Sequence, residues 1–263
     1  MKKILILSTV FALLFPVFNQ TIIAGDLTGR EILEESQTLD VVDDFEAEAS
    51  LQIIRGDRTR ERELIMLSIK TEDGEERALT RFTAPSDVEG TGFLNITYPD
   101  GEEESWLYLP AMGSERRMVS DERGGSFMGS DFTYEDISMT LDDYHHEIID
   151  QQELNEREVY VIESVPVSDE IADDIEASKR VTYIDSENLY IHQIEVFDLN
   201  GNLDRTIYAE NIQEIVEGLF MPLRMVVETE NGDSTILEYR NVQADVGIDP
   251  ADLSRRNLSR PIQ

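Results

Sequence analysis

The sequence has 263 residues, 40% of them hydrophobic, and carries 56 Asp+Glu against 22 Lys+Arg, a formal net charge of -34. A hydrophobic fraction of that size supports a folded core. The charge excludes nucleic acid and anionic lipid surfaces as partners, because both are bound through clustered cations that release counterions. No cysteine occurs, which rules out both a disulfide framework and a lipid-bearing N-terminal cysteine.

The chain opens with Lys2 and Lys3, runs without a charge from Ile4 to Phe18 and then reaches Asn19, Gln20 and Thr21. That order is a secretory signal, and cleavage after Ala24 places the mature start at Gly25, although Ile22 is bulky for its position. The apolar run is shorter than the ~20 residues that span a bilayer, so no stable membrane insertion is expected after cleavage. Residues 25–263 contain no Pro/Gly/Ser linker, low-complexity tract or repeat, and are expected to form a single domain. Lys70 and Lys179 are its only lysines. A lysine-poor, acid-rich surface suits a protein working in high salt (a halophilic surface) or one with a basic partner, and composition leaves both open.

Thr28 and Glu31 have capping-box spacing, and Ile32, Leu33 and Leu39 supply an apolar face, predicting a short first helix. From Phe45 the pattern has period two, with Phe45, Ala47, Ala49, Leu51 and Ile53 on one side of a half-buried strand. Further strands are predicted over residues 61–69, 77–83, 91–98, 105–109 and 115–119, then 159–165, 180–185, 190–197, 204–209, 219–227 and 234–241. The pairs Asp73-Gly74, Asp100-Gly101, Asn200-Gly201 and Asn231-Gly232 predict hairpins whose two turn residues both have positive φ. Between the two groups of strands, Tyr134, Ile137, Leu141 and Tyr144 recur at helical spacing and predict a helix over 132–146. The fold class read from this pattern is α+β, a strongly curved antiparallel sheet with few helices.

Catalytic and metal chemistry find little footing. Ser126 and Ser130 lie among glycines, but neither has the G-x-S-x-G elbow of a nucleophile. His145, His146 and His192 lack metal-ligand spacing, and no metal site is expected. Asp198, Asn200, Asn202 and Asp204 alternate as in a calcium loop, yet the glycine falls too early and the closing glutamate is missing. No cofactor is expected. A secreted hydrolase has no motif behind it, and the chain is read as not an enzyme.

Three blocks keep large apolar residues and glycines together. They are Arg81-Phe82-Thr83-Ala84-Pro85 with Gly90-Thr91-Gly92-Phe93-Leu94, then Trp106-Leu107-Tyr108-Leu109-Pro110, then Gly124-Gly125-Ser126-Phe127-Met128-Gly129-Ser130-Asp131-Phe132. With Tyr134-Glu135-Asp136-Ile137, Tyr183-Ile184-Asp185, Met221-Pro222 and a closing Leu253-Ser254-Arg255-Arg256-Asn257-Leu258, the chain closely resembles the LolA-like family of outer-membrane lipoprotein-sorting proteins. The resemblance runs from about Gly29 to Leu258 and is to the branch often encoded beside efflux-type membrane transporters. Leu253 departs from the phenylalanine expected in relatives.

The resemblance implies an incomplete antiparallel β-barrel with helices closing an apolar cavity. It implies a periplasmic carrier or chaperone that holds lipid or lipoprotein acyl chains in transport towards the outer membrane. An apolar pocket shields an acyl chain at about 0.8 kcal/mol per buried methylene. The alternative is an accessory interaction module of an inner-membrane efflux-type transporter, its cavity filled by its own side chains. A cavity of at least ~300 Å³ would favour a ligand site. Candidate ligand contacts are Phe82, Phe93, Leu94, Trp106, Tyr108, Phe127 and Met128, with ordinary sheet core as the competing reading. Trp106 and Tyr108 share one face of their strand and Leu107 and Leu109 the other, so only one pair should line the cavity. Phe127 and Met128, between Gly125 and Gly129, are read either as a gate over the cavity mouth or as an anchor pinning the loop to the core.

The charge generates a prediction about stability. Self-repulsion acts over a Debye length of about 30 Å at 0.01 M salt and about 3 Å at 1 M. The melting temperature should therefore rise steadily with salt over that range, and a flat profile would contradict the high-salt reading.

Overall fold

The computed structural model of the protein describes residues 27–37, 42–119 and 122–260. The expected signal segment, the Gly25 start and Leu39 lie outside them. The expected capping box forms. Thr28 N–H donates to Glu31 Oε2 at 2.7 Å and Glu31 N–H to Thr28 Oγ1 at 3.3 Å, opening α1 (Gly29–Gln37). Ile32 and Leu33 on its apolar face pack on Tyr160, Ile162 and Ile184.

The remaining described chain is mostly strand. The first half forms β1 (Asp44–Arg55), β2 (Arg58–Lys70), β3 (Glu76–Ala84), β4 (Gly92–Thr97), β5 (Glu103–Leu109) and β6 (Ser114–Arg117). After the short α2 (Tyr134–Ile137) come β7 (Tyr144–Leu154) and β8 (Arg157–Pro166), then α3 (Asp169–Ile175). The second half continues with β9 (Lys179–Asp185), β10 (Ile191–Phe197), β11 (Leu203–Val216), β12 (Leu219–Thr229) and β13 (Ser234–Ala244). All thirteen belong to one antiparallel sheet in the order β6-β5-β4-β3-β2-β1-β13-β12-β11-β10-β9-β8-β7. The pairing of β1 with β13 joins the two halves. The sheet is not closed, and β6 and β7 are its edges.

Two sequence expectations need correction. In the four glycine hairpins only the glycine has positive φ, at 82°, 85°, 81° and 87° for Gly74, Gly101, Gly201 and Gly232. Each hairpin is a three-residue loop whose glycine supplies the left-handed position after a tight turn, as when Gly74 N–H reaches the Thr71 carbonyl at 2.9 Å. The turn with two positive-φ residues is Asn155-Glu156, at 52° and 65°, between β7 and β8.

The helix expected over 132–146 is only α2, a 3₁₀ turn at Leu141–Asp143 and the start of β7. Its apolar residues separate to three places instead of forming one stripe. Tyr134 packs with Phe127, Leu141 joins the α1 cluster and Tyr144 packs with Ile175 and Val196. At Ser138 the backbone leaves helical geometry, with φ -143° and ψ 62°.

One face of the sheet, here called inner, carries Ala49, Leu51, Leu64, Phe82, Phe93, Leu107, Ile207, Val227 and Leu237 in a single cluster with Phe127 and Phe132. The outer face of β2–β5 carries Leu67, Ile69, Leu79, Leu94 and Ile96 and is covered by Leu253 and Leu258 of the C-terminal segment. Asp44 holds the root of that segment by accepting from the N–H groups of Val246, Gly247 and Ile248 at 2.7, 2.8 and 3.0 Å. Arg81 Nη2 donates to the Leu258 carbonyl at 2.6 Å. A Cβ on Gly92 would stand 2.8 Å from Leu258 Cδ1 and 3.2 Å from its carbonyl oxygen, so the segment needs a glycine there.

Leu258 is fully buried on this outer face. Leu258→Ala should cost about 2–5 kcal/mol in denaturant unfolding, whereas Met112→Ala, at a side chain 63% exposed, should stay within ~0.5 kcal/mol. Equal effects would contradict the role given to the C-terminal segment.

Candidate ligand cavity

The two ends of the inner face are built differently. At the end formed by the close of β1 and the start of β2, Phe127 is 4% exposed. Its ring centroid lies 5.9 Å from Phe82, 5.8 Å from Phe93 and 5.4 Å from Tyr134. Ser126 Oγ donates to the Ser130 carbonyl at 2.5 Å and Ser130 Oγ to the Phe127 carbonyl at 2.7 Å. Asp131 pairs with Arg55 at 2.8 Å and accepts from Thr235 Oγ1 at 2.7 Å. Met128, half-buried with φ 52°, accepts a hydrogen bond at its carbonyl from Arg62. In this conformation the buried Phe127 ring fills one end of the inner face.

The segment behind the plug is fixed by buried charge. Asp136 closes the capping box of α2, accepting from Thr133 N–H at 2.9 Å while its own N–H reaches Thr133 Oγ1 at 3.2 Å. The same carboxylate, 1% exposed, meets Arg180 of β9 at 2.9 Å and Arg205 of β11 at 3.1 Å. Burial alone would raise its pKa, but Arg205, Arg180 and Thr133 overcome that and hold it below the usual carboxylate range. Neighbouring Glu135 accepts from Arg123 Nε at 2.8 Å and from Tyr144 Oη at 2.5 Å. Burial pushes the Glu135 carboxyl up against the opposing charges of Arg123 and Arg180. Gly124 permits this packing, since a Cβ there would lie 2.8 Å from the Ile175 backbone.

The opposite end is open. A cavity of about 320 Å³ lies there, lined by Phe45, Met66, Tyr190, Leu219, Phe220 and Met221, with Glu35 and Ser36 of α1 at its border. The Tyr190 ring lies 4.7 Å from that of His192, tilted by 55°, and 6.0 Å from that of Phe220. The loop carrying Tyr190 is pinned by Asp185, which accepts from Arg157 at 2.7 and 3.0 Å and from the N–H groups of Glu187 and Asn188 at 3.0 and 2.8 Å. Burial opposes ionisation of Asp185, yet these partners bring its pKa down to about 2. Burial also holds His192 below its ordinary value, despite Asp185 at 3.6 Å, so the imidazole beside the mouth is neutral at pH 7. A second, more polar cavity of about 440 Å³ lies against β5 and β6, bordered by Glu103, Arg117, Arg123, Tyr134 and Thr140.

Of the seven residues singled out in the sequence, Phe82, Phe93, Phe127 and Met128 come together at the plugged end. Leu94, Trp106 and Tyr108 lie on the outer face under the C-terminal segment, where Arg255 stacks 4.0 Å over the Trp106 ring. Leu107 and Leu109 are the pair that faces inward. None of the seven lines the open cavity. Its lining comes from six separate stretches of the chain, and the residue that carried a signal was Met221, in the Met221-Pro222 pair.

A family model described as "-like: Uncharacterized protein" matches residues 74–260. No curated protein matches the chain. Among solved structures, an outer membrane lipoprotein-sorting protein domain from Vibrio parahaemolyticus is 26% identical with a TM-score of 0.78, covering 88% of this chain and 98% of its own. A DUF1329 family protein from Desulfovibrio piger is 25% identical with a TM-score of 0.77, covering 88% and 97%. A LolA superfamily protein from Nitrosomonas europaea shares the fold at 17% identity, with a TM-score of 0.62 and coverage of 87% and 98%.

The Asp136 geometry sets a pH expectation. A carboxylate whose folded pKa lies below its ordinary 3.8 contributes stability that is complete above that value and is lost as pH falls through the folded pKa. Asp136→Asn should therefore cost about 3–5 kcal/mol at pH 7, because the buried Arg180 and Arg205 guanidinium groups lose the carboxylate they share, Arg205 keeping only Asp204 among the described residues, and the deficit should shrink below about pH 4. Denaturant melts of both proteins at pH 7 and pH 3 check this, and a deficit independent of pH would contradict it.

Proposed function

The chain belongs to the LolA-like family of outer-membrane lipoprotein-sorting proteins, and from that premise we propose that it is a periplasmic carrier holding one acyl chain, of a lipid or a lipoprotein, in the open end of its inner face. The observation that carries this reading is the cavity of about 320 Å³ between β1–β3 and β12, walled by Phe45, Met66, Phe220 and Met221. Its volume falls within the ~300–1,000 Å³ typical of ligand pockets. The curled sheet is read as the incomplete barrel of the family, with α1 and the 185–190 loop closing its mouth. Methionines suit a wall that must accept chains of varying shape, since their unbranched side chains adapt at little cost. The mechanism is transfer without reaction: apolar contact inside, and an acidic exterior that keeps the loaded protein dispersed. Secretion through a cleaved signal, with Gly25 as the mature start, belongs to the same reading.

A second reading is favoured by one specific observation. The plugged end is filled by the protein's own Phe82, Phe93, Phe127 and Tyr134, as in an accessory module of an inner-membrane transporter that moves no cargo itself. Direct contact of those residues with cargo would require the plug to withdraw, whereas Met66 and Met221 already line open space.

A titration of the delipidated protein with a fluorescent long-chain fatty acid separates the two. Saturable binding is expected, weakened at least tenfold by Met221→Arg, which places a charge on the wall. Phe127→Ala should cost about 3–5 kcal/mol in stability and leave ligand release nearly unchanged. Absence of saturable binding by the unaltered protein would leave the accessory-module reading.

A further inference from the structure

The end of the sheet opposite the cavity mouth carries an unusual combination of open backbone and unpaired charge. Strand β2 pairs with β1 along its whole length, from Arg58 opposite Arg55 to Ile69 opposite Asp44. On its other side β3 stops at Ala84, opposite Glu63, and the chain turns away at Pro85. Residues 58–62 therefore form a strand edge with no neighbour among the described residues. Alternate N–H and C=O groups along such an edge point away from β1 and are free to pair with another strand.

That edge carries a row of arginines. Leu64 and Met66 face inward, and with no register shift between β1 and β2 the alternation places Arg62, Arg60 and Arg58 on the same face. Arg62 confirms the direction by reaching the Met128 carbonyl and lying 5.9 Å from the Phe82 ring centroid. Arg58 and Arg60 are exposed, and neither has an ion pair among the described residues. In a molecule of net charge -34 this is unexpected, because most of its arginines are held by a carboxylate, as Arg30, Arg77, Arg116, Arg157, Arg224 and Arg240 are.

We infer that the β2 edge at Arg58–Arg62 is a docking site for an extended acidic segment of a partner protein, which adds to the sheet as a strand beside β2. Main-chain hydrogen bonds along the open edge supply attachment, and carboxylates at every second position of the incoming strand face the arginine row. The spacings agree, since alternate residues on both strands repeat every ~6.8 Å. The outer face of the same stretch carries Thr59, Glu61 and Glu63, so the intervening positions of the partner are neutral or basic. A flat anionic membrane fits less well, because it would meet Asp57, Glu61, Glu63 and Asp87 along with the arginines. The cavity is lined by Phe45 and Ser68, at the other end of β1 and β2, so a docked strand leaves its mouth clear.

The test uses the mature full chain and a capped, fluorescein-labelled heptapeptide alternating glutamate and threonine, followed by anisotropy at low salt. Saturable binding is expected. Arg58→Glu combined with Arg60→Glu should weaken it at least tenfold without moving the melting temperature, since both side chains are exposed. The same peptide methylated at every backbone amide keeps its charge and should fail to bind. No saturable binding of the unmodified peptide, equal binding to the double variant, or equal binding of the methylated peptide would each overturn the inference. So would binding to phosphatidylglycerol vesicles in place of the peptide.

Discussion

The Asp136 carboxylate, held between Arg180 and Arg205, is the contact on which the arrangement of the inner face depends. The segment between β6 and β7 leaves one free edge of an open sheet and arrives at the other, and α2 has only four residues with which to fix its path. A helix that short has little stability of its own. Asp136 supplies what propensity cannot, capping α2 from within and binding two strands of the second half through one buried carboxylate. Glu135 adds Arg123 and Tyr144, which secures the start of β7. Buried ion pairs of this kind contribute little net stability compared with apolar packing, but their loss is costly, so they specify one arrangement of the segment over others.

With that segment fixed, the inner face divides. Phe127 is delivered into the space between Phe82, Phe93 and Tyr134, where it completes a packed core. Some distance along the same strands, no element among the described residues reaches across, and Phe45, Met66, Phe220 and Met221 surround open volume. The outer face has a separate cover in the C-terminal segment, whose close approach depends on Gly92 and on the Arg81 guanidinium at the Leu258 carbonyl. Gly92, Gly124 and Arg81, in the blocks that marked the sequence, are thus accounted for by the packing of covering segments.

The strands and hairpins were readable in the sequence because a half-buried sheet imposes period two on residues such as Phe45, Ala47 and Ala49, and because glycines punctuate its turns. The capping box at Thr28 was readable for the same local reason. Tyr134, Ile137, Leu141 and Tyr144 misled because their helical spacing is real while their environments differ, and nothing local announces that Asp136 will be claimed by arginines 44 and 69 residues away. Strand β7 was hidden by the charges of Glu147, Asp150 and Glu153 at an edge whose outer side meets water. Trp106 and Tyr108 were correctly placed on a face opposite Leu107, but which face is inner depends on the C-terminal segment. The cavity was the least legible feature, since Phe45, Met66, Tyr190 and Phe220 become neighbours only once β1 pairs with β13 and the 185–190 loop is pinned by Asp185.

The central claim is that an acyl chain enters the open end of the inner face and that the Phe127 end stays closed. Methyl NMR of the methionines with a fatty acid spin-labelled on its chain reports this directly, because paramagnetic broadening falls off steeply with distance. Met66 and Met221 line the cavity, whereas Met128 lies at the plug and Met112 is exposed on the β5–β6 turn. Selective loss of the Met66 and Met221 signals, with Met128 and Met112 spared, is the predicted result; loss of Met128 ahead of Met66 and Met221 would contradict the account.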